Sequence, residues 1–174
     1  MTSKKFMEKL IEIDACGHAK KFCKGKTLHQ AWILCDRPEW MMWLYEKANP
    51  DKKICVEIAV YSARLCLDKF ERKYPDDKRP RKAIEAAENW LINPCDITIS
   101  AAWSAAWSAA ESAAESESAA ASAWSAAESA SAASSAAESS SAASSAAWSA
   151  GNNKKICEFI RSKIMWKDIE GGLK

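Results

Sequence analysis

Tryptophan and arginine side chains in the first half of the chain have the clearest capacity for binding chemistry. Trp40 and Trp43 lie three residues apart, a spacing that places both indoles on one face of a helix. Arg37 precedes them, so an indole could stack on an aromatic ligand while the guanidinium binds an anionic group at the rim of a cleft. The alternative is that both indoles, which lie among Met and Leu residues, belong to the hydrophobic core.

A second cationic group lies near residue 80. Arg79 and Arg81 flank a proline, and Lys82 follows, at a predicted helix start where backbone N–H groups and the helix dipole favour an anion. Two guanidinium groups there could hold a phosphate or a carboxylate through bidentate hydrogen bonds. The alternative is that they form ion pairs with Glu85 and Glu88, or with the acidic residues farther along the chain.

Two further tryptophans, Trp103 and Trp107, lie four residues apart in an Ala-rich segment and are expected to pack on the earlier tryptophans. Together, the aromatic and cationic side chains are suited to an anionic ligand that carries an aromatic part. The candidate ligand-binding residues are therefore Arg37, Trp40, Trp43, Arg79, Arg81, Lys82, Trp103 and Trp107.

Residues for catalysis, metal binding or cofactor binding form no recognisable pattern. The two His residues lie outside any acid–base motif, the serines have no partnered base, and the five glycines form no phosphate loop. The seven cysteines include no CxxC pair and are expected to be small buried hydrophobes. A set assembled from Cys16, His18, Cys23 and His29 matches no zinc spacing. We therefore expect no enzyme, no metal and no cofactor.

Charge is distributed unevenly along the 174 residues. The net charge of +2 combines −5 from residues 101–150, which hold five Glu and no Lys or Arg, with +7 from the rest. A net charge of this size gives little reason to expect a nucleic-acid partner. The charged segment 1–14 lacks the apolar stretch of a signal peptide, so we expect a cytoplasmic protein that does not contact a membrane.

The segment 101–150 consists of Ala, Ser, Trp and Glu in tetrads of the form Ala-Ala-X-Ser. Without Gly, Pro or β-branched residues it is expected to be helical, and its small side chains let another backbone approach closely. One straight helix would be about 75 Å long, so we expect a break or a hairpin near residues 115–119 or 139–141. A disordered linker is the alternative for so Ser-rich a segment.

The remaining chain also has helical patterning. Val56, Ala59, Val60, Ala63, Leu67 and Phe70 recur at intervals of three and four residues, and no segment alternates with period two. Prolines mark helix starts, and Asp36 and Glu39 have the spacing of a capping box. The predicted helices cover residues 4–13, 15–24, 28–35, 38–48, 51–73, 80–92 and 153–168.

These elements predict an all-α fold, a single-domain helical bundle spanning residues 1–174. A mixed helical part, 1–95, would pack against the Ala/Ser-rich helices of 96–150, and a C-terminal helix would lie within 151–174.

Three motifs occur in order: AWILCDRPEWMMWLYEK, then CVEIAVYSARLCLD, then RPRKAIEAAENWL followed by the Ala-rich tetrads. Over about residues 27–150 the chain resembles the "putative immunity protein" family, Ala-rich helical proteins of bacterial and phage genomes. The resemblance implies a role in conflict between bacteria, or between phage and host, in which the protein binds and blocks a harmful effector.

The leading hypothesis is therefore a non-enzymatic binding protein that neutralises a protein effector through a helical surface. One alternative is a phage-type sponge that encloses a small anionic nucleotide signal in a pocket lined by Trp and Arg. Another alternative is a structural helix bundle in which Ala faces drive homo-oligomer formation.

Overall fold

The computed structural model describes residues 1–94 and 152–173, which form eight helices and no strand. The helices are α1 (Ser3–Glu12), α2 (Gly17–Cys23), α3 (Leu28–Leu34), α4 (Pro38–Lys47), α5 (Lys52–Lys73), α6 (Arg79–Ile92), α7 (Asn153–Lys163) and α8 (Trp166–Gly172). The all-α prediction is confirmed for this part of the chain. The predicted helices of 96–150, their hairpin, and Trp103 and Trp107 lie outside the described residues, and the division into 1–95, 96–150 and 151–174 stays a prediction.

Side-chain caps explain where several helices begin. Thr27 Oγ1 accepts a hydrogen bond from the Gln30 N–H at 3.2 Å, and the Gln30 carboxamide accepts one from the Thr27 N–H at 2.9 Å. This reciprocal capping box starts α3. Asp51 starts α5 in a simpler way, because its Oδ1 accepts from the Ile54 N–H at 3.1 Å.

The predicted capping box of Asp36 and Glu39 is wrong. Arg37 is the N-cap residue of α4 and makes no side-chain cap hydrogen bond, and the Glu39 carboxylate instead accepts from the Arg37 guanidinium at 3.3 Å. The helix still begins at Pro38 because proline has the φ angle of a first turn and lacks the N–H that would need a partner.

The predicted C-terminal helix, 153–168, is two helices rather than one. Ile164 has an extended backbone, with φ −123° and ψ 119°, and its side chain is 1% exposed. Asp168 then accepts a hydrogen bond from the Met165 N–H at 2.9 Å and starts α8. The helix therefore breaks at Ile164, whose β-branched side chain is buried. Sequence periodicity alone does not reveal this break.

Helix α5 is buried on two sides. One side packs on α6 and the other enters a larger core formed with helices from both ends of the chain. The α6-facing cluster consists of Val56, Ala59, Val60, Ala63 and Leu67 from α5 with Ala83, Ile84, Ala87 and Trp90 from α6. From the predicted stripe, Phe70 alone turns into the larger core, where Cys55, Ile58 and Cys66 also lie.

Arg161 of α7 connects the end of the chain to α3. Its Nε donates to the carbonyl oxygen of Trp32 at 3.1 Å, and a terminal guanidinium nitrogen donates to the carbonyl oxygen of Cys35. These carbonyls lie at the C-terminal end of α3, where a helix has acceptors without intrahelical partners and where its dipole favours a cation.

Replacing Arg161 with Ala is expected to lower the free energy of unfolding by about 2 kcal/mol, because two carbonyl groups lose a charged donor. The control is Arg72→Ala, since Arg72 is exposed and, among the described residues, donates to Asp68 O alone, within its own helix, at 3.2 Å. That variant should lose less than about 0.5 kcal/mol. Urea unfolding followed by circular dichroism measures both, and equal losses would contradict the assigned role of Arg161.

Candidate functional site

An open groove lies between α2 and the start of α4. We call it the α2–α4 groove, and its volume is about 470 Å³. Its lining residues are Cys16, His18, Lys21, Phe22, Arg37 and Trp40. Residues about twenty positions apart in sequence therefore form one surface, to which both α2 and α4 contribute.

Two aromatic rings form the floor of the α2–α4 groove. The ring centroids of Phe22 and Trp40 are 5.9 Å apart and tilted by 54°, and both side chains are partly buried. Behind them lies a small apolar cavity of about 40 Å³, which Trp43 also lines. The floor is therefore supported by core side chains, and the cavity behind it has room for about one water molecule.

Cations surround this floor. The Arg37 guanidinium carbon lies 5.0 Å from the Trp40 ring centroid, and the Lys26 ammonium lies 4.7 Å from that of Phe22, both within the range of cation–π attraction. Residues 15–35 contain four Lys and two His but no Asp or Glu. A surface with these features can hold a carboxylate beside an apolar or aromatic group.

Arg37 and Trp40 are the predicted site residues that the structure brings together. Trp43, one turn farther along α4, lines the small cavity behind the floor, and its ring centroid lies 5.9 Å from the Lys47 ammonium. The interpretation of Trp40 and Trp43 as core residues thus applies in part to both, because each packs against the larger core while remaining partly exposed.

The predicted cationic group near residue 80 does not line the α2–α4 groove but lies at the start of α6. Its two arginines form ion pairs with carboxylates of the chain. Arg79 forms two hydrogen bonds with Asp77, at 3.0 and 2.8 Å. Arg81 forms two with Glu71 of α5, at 2.7 and 2.6 Å, which lowers the pKa of the Glu71 carboxyl group. Lys82 is exposed.

The sequence left open the alternative that Arg79 and Arg81 form ion pairs with Glu85 and Glu88. The structure instead pairs Glu88 with Arg64, through two hydrogen bonds of 2.9 and 2.6 Å. The bidentate pairs Arg64–Glu88 and Arg81–Glu71 join α5 to α6, so Arg64 and Arg81 hold these two helices together.

Sequence reasoning missed four residues of the α2–α4 groove as binding residues: Cys16, His18, Lys21 and Phe22. The available signal was the stretch 15–35, which has basic residues and no acidic ones. His18 had been considered only together with cysteines. Among the described residues, no three side chains of His, Cys, Asp or Glu are grouped closely enough to hold a metal ion.

Burial keeps several thiols protonated. It raises the pKa of Cys23 to about 11 and that of Cys157 to about 12, and it also raises the pKa of Cys35. These cysteines, with Cys55 and Cys66, are the buried residues that the sequence predicts, whereas Cys16 is exposed. A protonated thiol is a poor nucleophile, so the buried cysteines act as core side chains.

A family model described as "Imm-5 like putative immunity protein" matches residues 47–161, more than half of the chain. The chain therefore belongs to this family. The match begins at the last residue of the first of the three sequence motifs and covers α5, α6 and most of α7. Neither the search of curated proteins nor the search of solved structures found a match. In the described part of the chain, no helix is long and apolar enough to cross a bilayer.

The raised thiol pKa values predict that the free energy of unfolding falls as the pH rises above about 9. Cysteines of the unfolded chain lose their protons near pH 9, whereas Cys23 and Cys157 keep theirs to about 11 and about 12 in the folded state. The native state then binds more protons than the unfolded state, so alkali favours unfolding.

Urea unfolding near pH 8 and near pH 10 under reducing conditions measures this effect, which should reach about 1 kcal/mol for Cys157. The control is Cys157→Ala, in which the stability difference between the two pH values should be smaller. An unchanged difference would contradict the assignment.

Proposed function

We propose that this protein neutralises a protein effector by binding it directly, in conflict between bacteria or between phage and host, and that it catalyses no reaction on that effector. Membership of an immunity-protein family supports the general role. The observation that carries the binding mode is the α2–α4 groove, an aromatic floor that packs against the larger core and has cations around it. Trp and Arg side chains of this kind supply much of the binding energy at protein interfaces.

The nucleotide-sponge alternative has less support. A site that encloses a small ligand usually has a volume of about 300 to 1,000 Å³, whereas the cavity behind Trp40 measures about 40 Å³. The α2–α4 groove is large enough but open, and Arg79 and Arg81 are held by carboxylates of the chain. The self-association alternative depends on residues outside the described ranges.

A growth-rescue screen tests the proposed function. Open reading frames from the genome that encodes this chain are expressed one at a time, with and without the chain. We expect at least one product that is toxic alone and harmless when the chain is present, because a bound effector cannot reach its target. Size-exclusion chromatography of the purified pair should show a stable complex, with the effector recovered chemically unchanged by intact mass.

Two results would contradict the proposal. The absence of any rescued toxic product would remove the immunity role. Rescue with a chemically modified or cleaved effector, and no stable complex, would show catalysis in place of neutralisation by binding.

A further inference from the structure

We propose that the α2–α4 groove binds an acidic segment of a protein partner, with an apolar or aromatic side chain of that segment seated on Phe22 and Trp40. This inference rests on the proposed function, since the partner would be the neutralised effector. It adds the surface used and the chemistry of the segment that fits it.

Charge complementarity carries the first step. Lys21 is exposed at the groove, and among the described residues no carboxylate pairs with it. His18 is also exposed there, and the stretch 15–35 around them contains no acidic side chain. None of the six lining residues is acidic, so a carboxylate of the partner would meet Lys21 of α2, whereas Arg37 of α4 already pairs with Glu39.

The aromatic floor carries the second step. The ring centroids of Trp40 and Phe22 lie 5.9 Å apart, and the Arg37 guanidinium carbon lies 5.0 Å from the Trp40 ring centroid. Because these contacts hold the Trp40 ring before binding, less conformational entropy is lost when a partner side chain packs on it. Trp is also among the residues that most often dominate binding energy at interfaces.

A comparison with another surface supports this choice. A second open groove, between α3 and α7, is lined by the exposed Ile33 and Leu34 but has charges of both signs, Asp36 and Glu158 with Lys154 and Arg161. Arg161 already serves as a donor to α3 carbonyls there. That groove therefore does not select a partner of one charge.

The same features favour a protein partner over nucleic acid. A duplex is bound by an extended basic surface, commonly in a domain with a pI above about 9, whereas this chain has a pI of about 8.1 and a net charge of +2.

The position of the groove in the chain adds a consequence for specificity. All six lining residues precede residue 47, where the family match begins. The matched part supplies α5, α6 and most of α7, whereas the larger core also contains many side chains that precede residue 47. We infer that partner choice depends on residues 16–40, outside the part of the chain that defines the family.

Fluorescence anisotropy with the full-length protein tests the inference. The probe is a short fluorescein-labelled peptide in which one phenylalanine is flanked by glutamates, and its counterpart has glutamine in place of each glutamate. We expect the acidic peptide to bind at least about tenfold more tightly than the glutamine peptide, and its binding to weaken as NaCl is raised.

Two groove variants should each weaken binding of the acidic peptide by about tenfold or more: Lys21→Glu, which reverses the charge, and Trp40→Ala, which removes the floor. Lys155→Glu is the matched control, because Lys155 is exposed on α7 and does not line the groove; it should bind as the wild type does. Trp40→Phe keeps an aromatic ring at this position and is a second variant in case Trp40→Ala fails to fold. Circular dichroism checks the fold of every variant.

Three results would overturn the inference: equal binding of the two peptides, equal effects of Lys21→Glu and Lys155→Glu, or tighter binding of a short DNA duplex than of the acidic peptide. The proposed function fails separately. If a Lys21→Glu chain still neutralises an effector found by growth rescue, the groove is not the binding surface but the immunity role stands. If no effector is rescued while the peptide results hold, the groove binds acidic segments and the immunity role fails.

Discussion

Helix α5 is buried on two sides, and the positions of α6 and α7 depend on this. Its Val- and Ala-rich side allows α6 to approach closely, and Arg64 and Arg81 reinforce the pair at the helix edges through bidentate bonds to Glu88 and Glu71. Its other side, with Ile58 and Phe70, enters the larger core. Rotation of α5 about its own axis would expose one of these buried sides to water, so the two contacts together fix the orientation of the helix.

The larger core fixes the surface on which the function is proposed to depend. Helix α7 packs on α4 and α5, and its Arg161 binds the final carbonyls of α3. Helix α4 therefore contacts the end of the described chain through α7, and its Trp40 contacts Phe22 of α2. In this way α2, a segment near the start of the sequence, forms an aromatic and cationic groove with α4.

Features that depend on local sequence were predictable. The first six helices begin and end within two residues of the predicted bounds, because proline positions and apolar spacing act locally. The pairing of Arg37 with Trp40 was also predictable, since the two lie three residues apart around a helix start. The break at Ile164 was not, because it depends on burial of that side chain in a core built from distant helices.

The candidate site was predictable only in its α4 half. Phe22 and Lys21 belong to it through the contact of Phe22 with Trp40, which no spacing within either helix encodes. Conversely, Arg79 and Arg81 carry the chemistry of an anion site, but the fold gives them Asp77 and Glu71 as partners. The type of residue indicated the chemistry in both cases, whereas tertiary contacts determined whether that chemistry faces a ligand.

Amide hydrogen exchange of the full chain, measured by mass spectrometry with and without a saturating acidic peptide, tests the central claim most directly. Binding of an acidic segment in the α2–α4 groove predicts that slowed exchange is confined to peptides covering residues 16–24 and 36–43, with α5 protected equally in both samples. Slowed exchange confined to α6, or to the groove between α3 and α7, would contradict it.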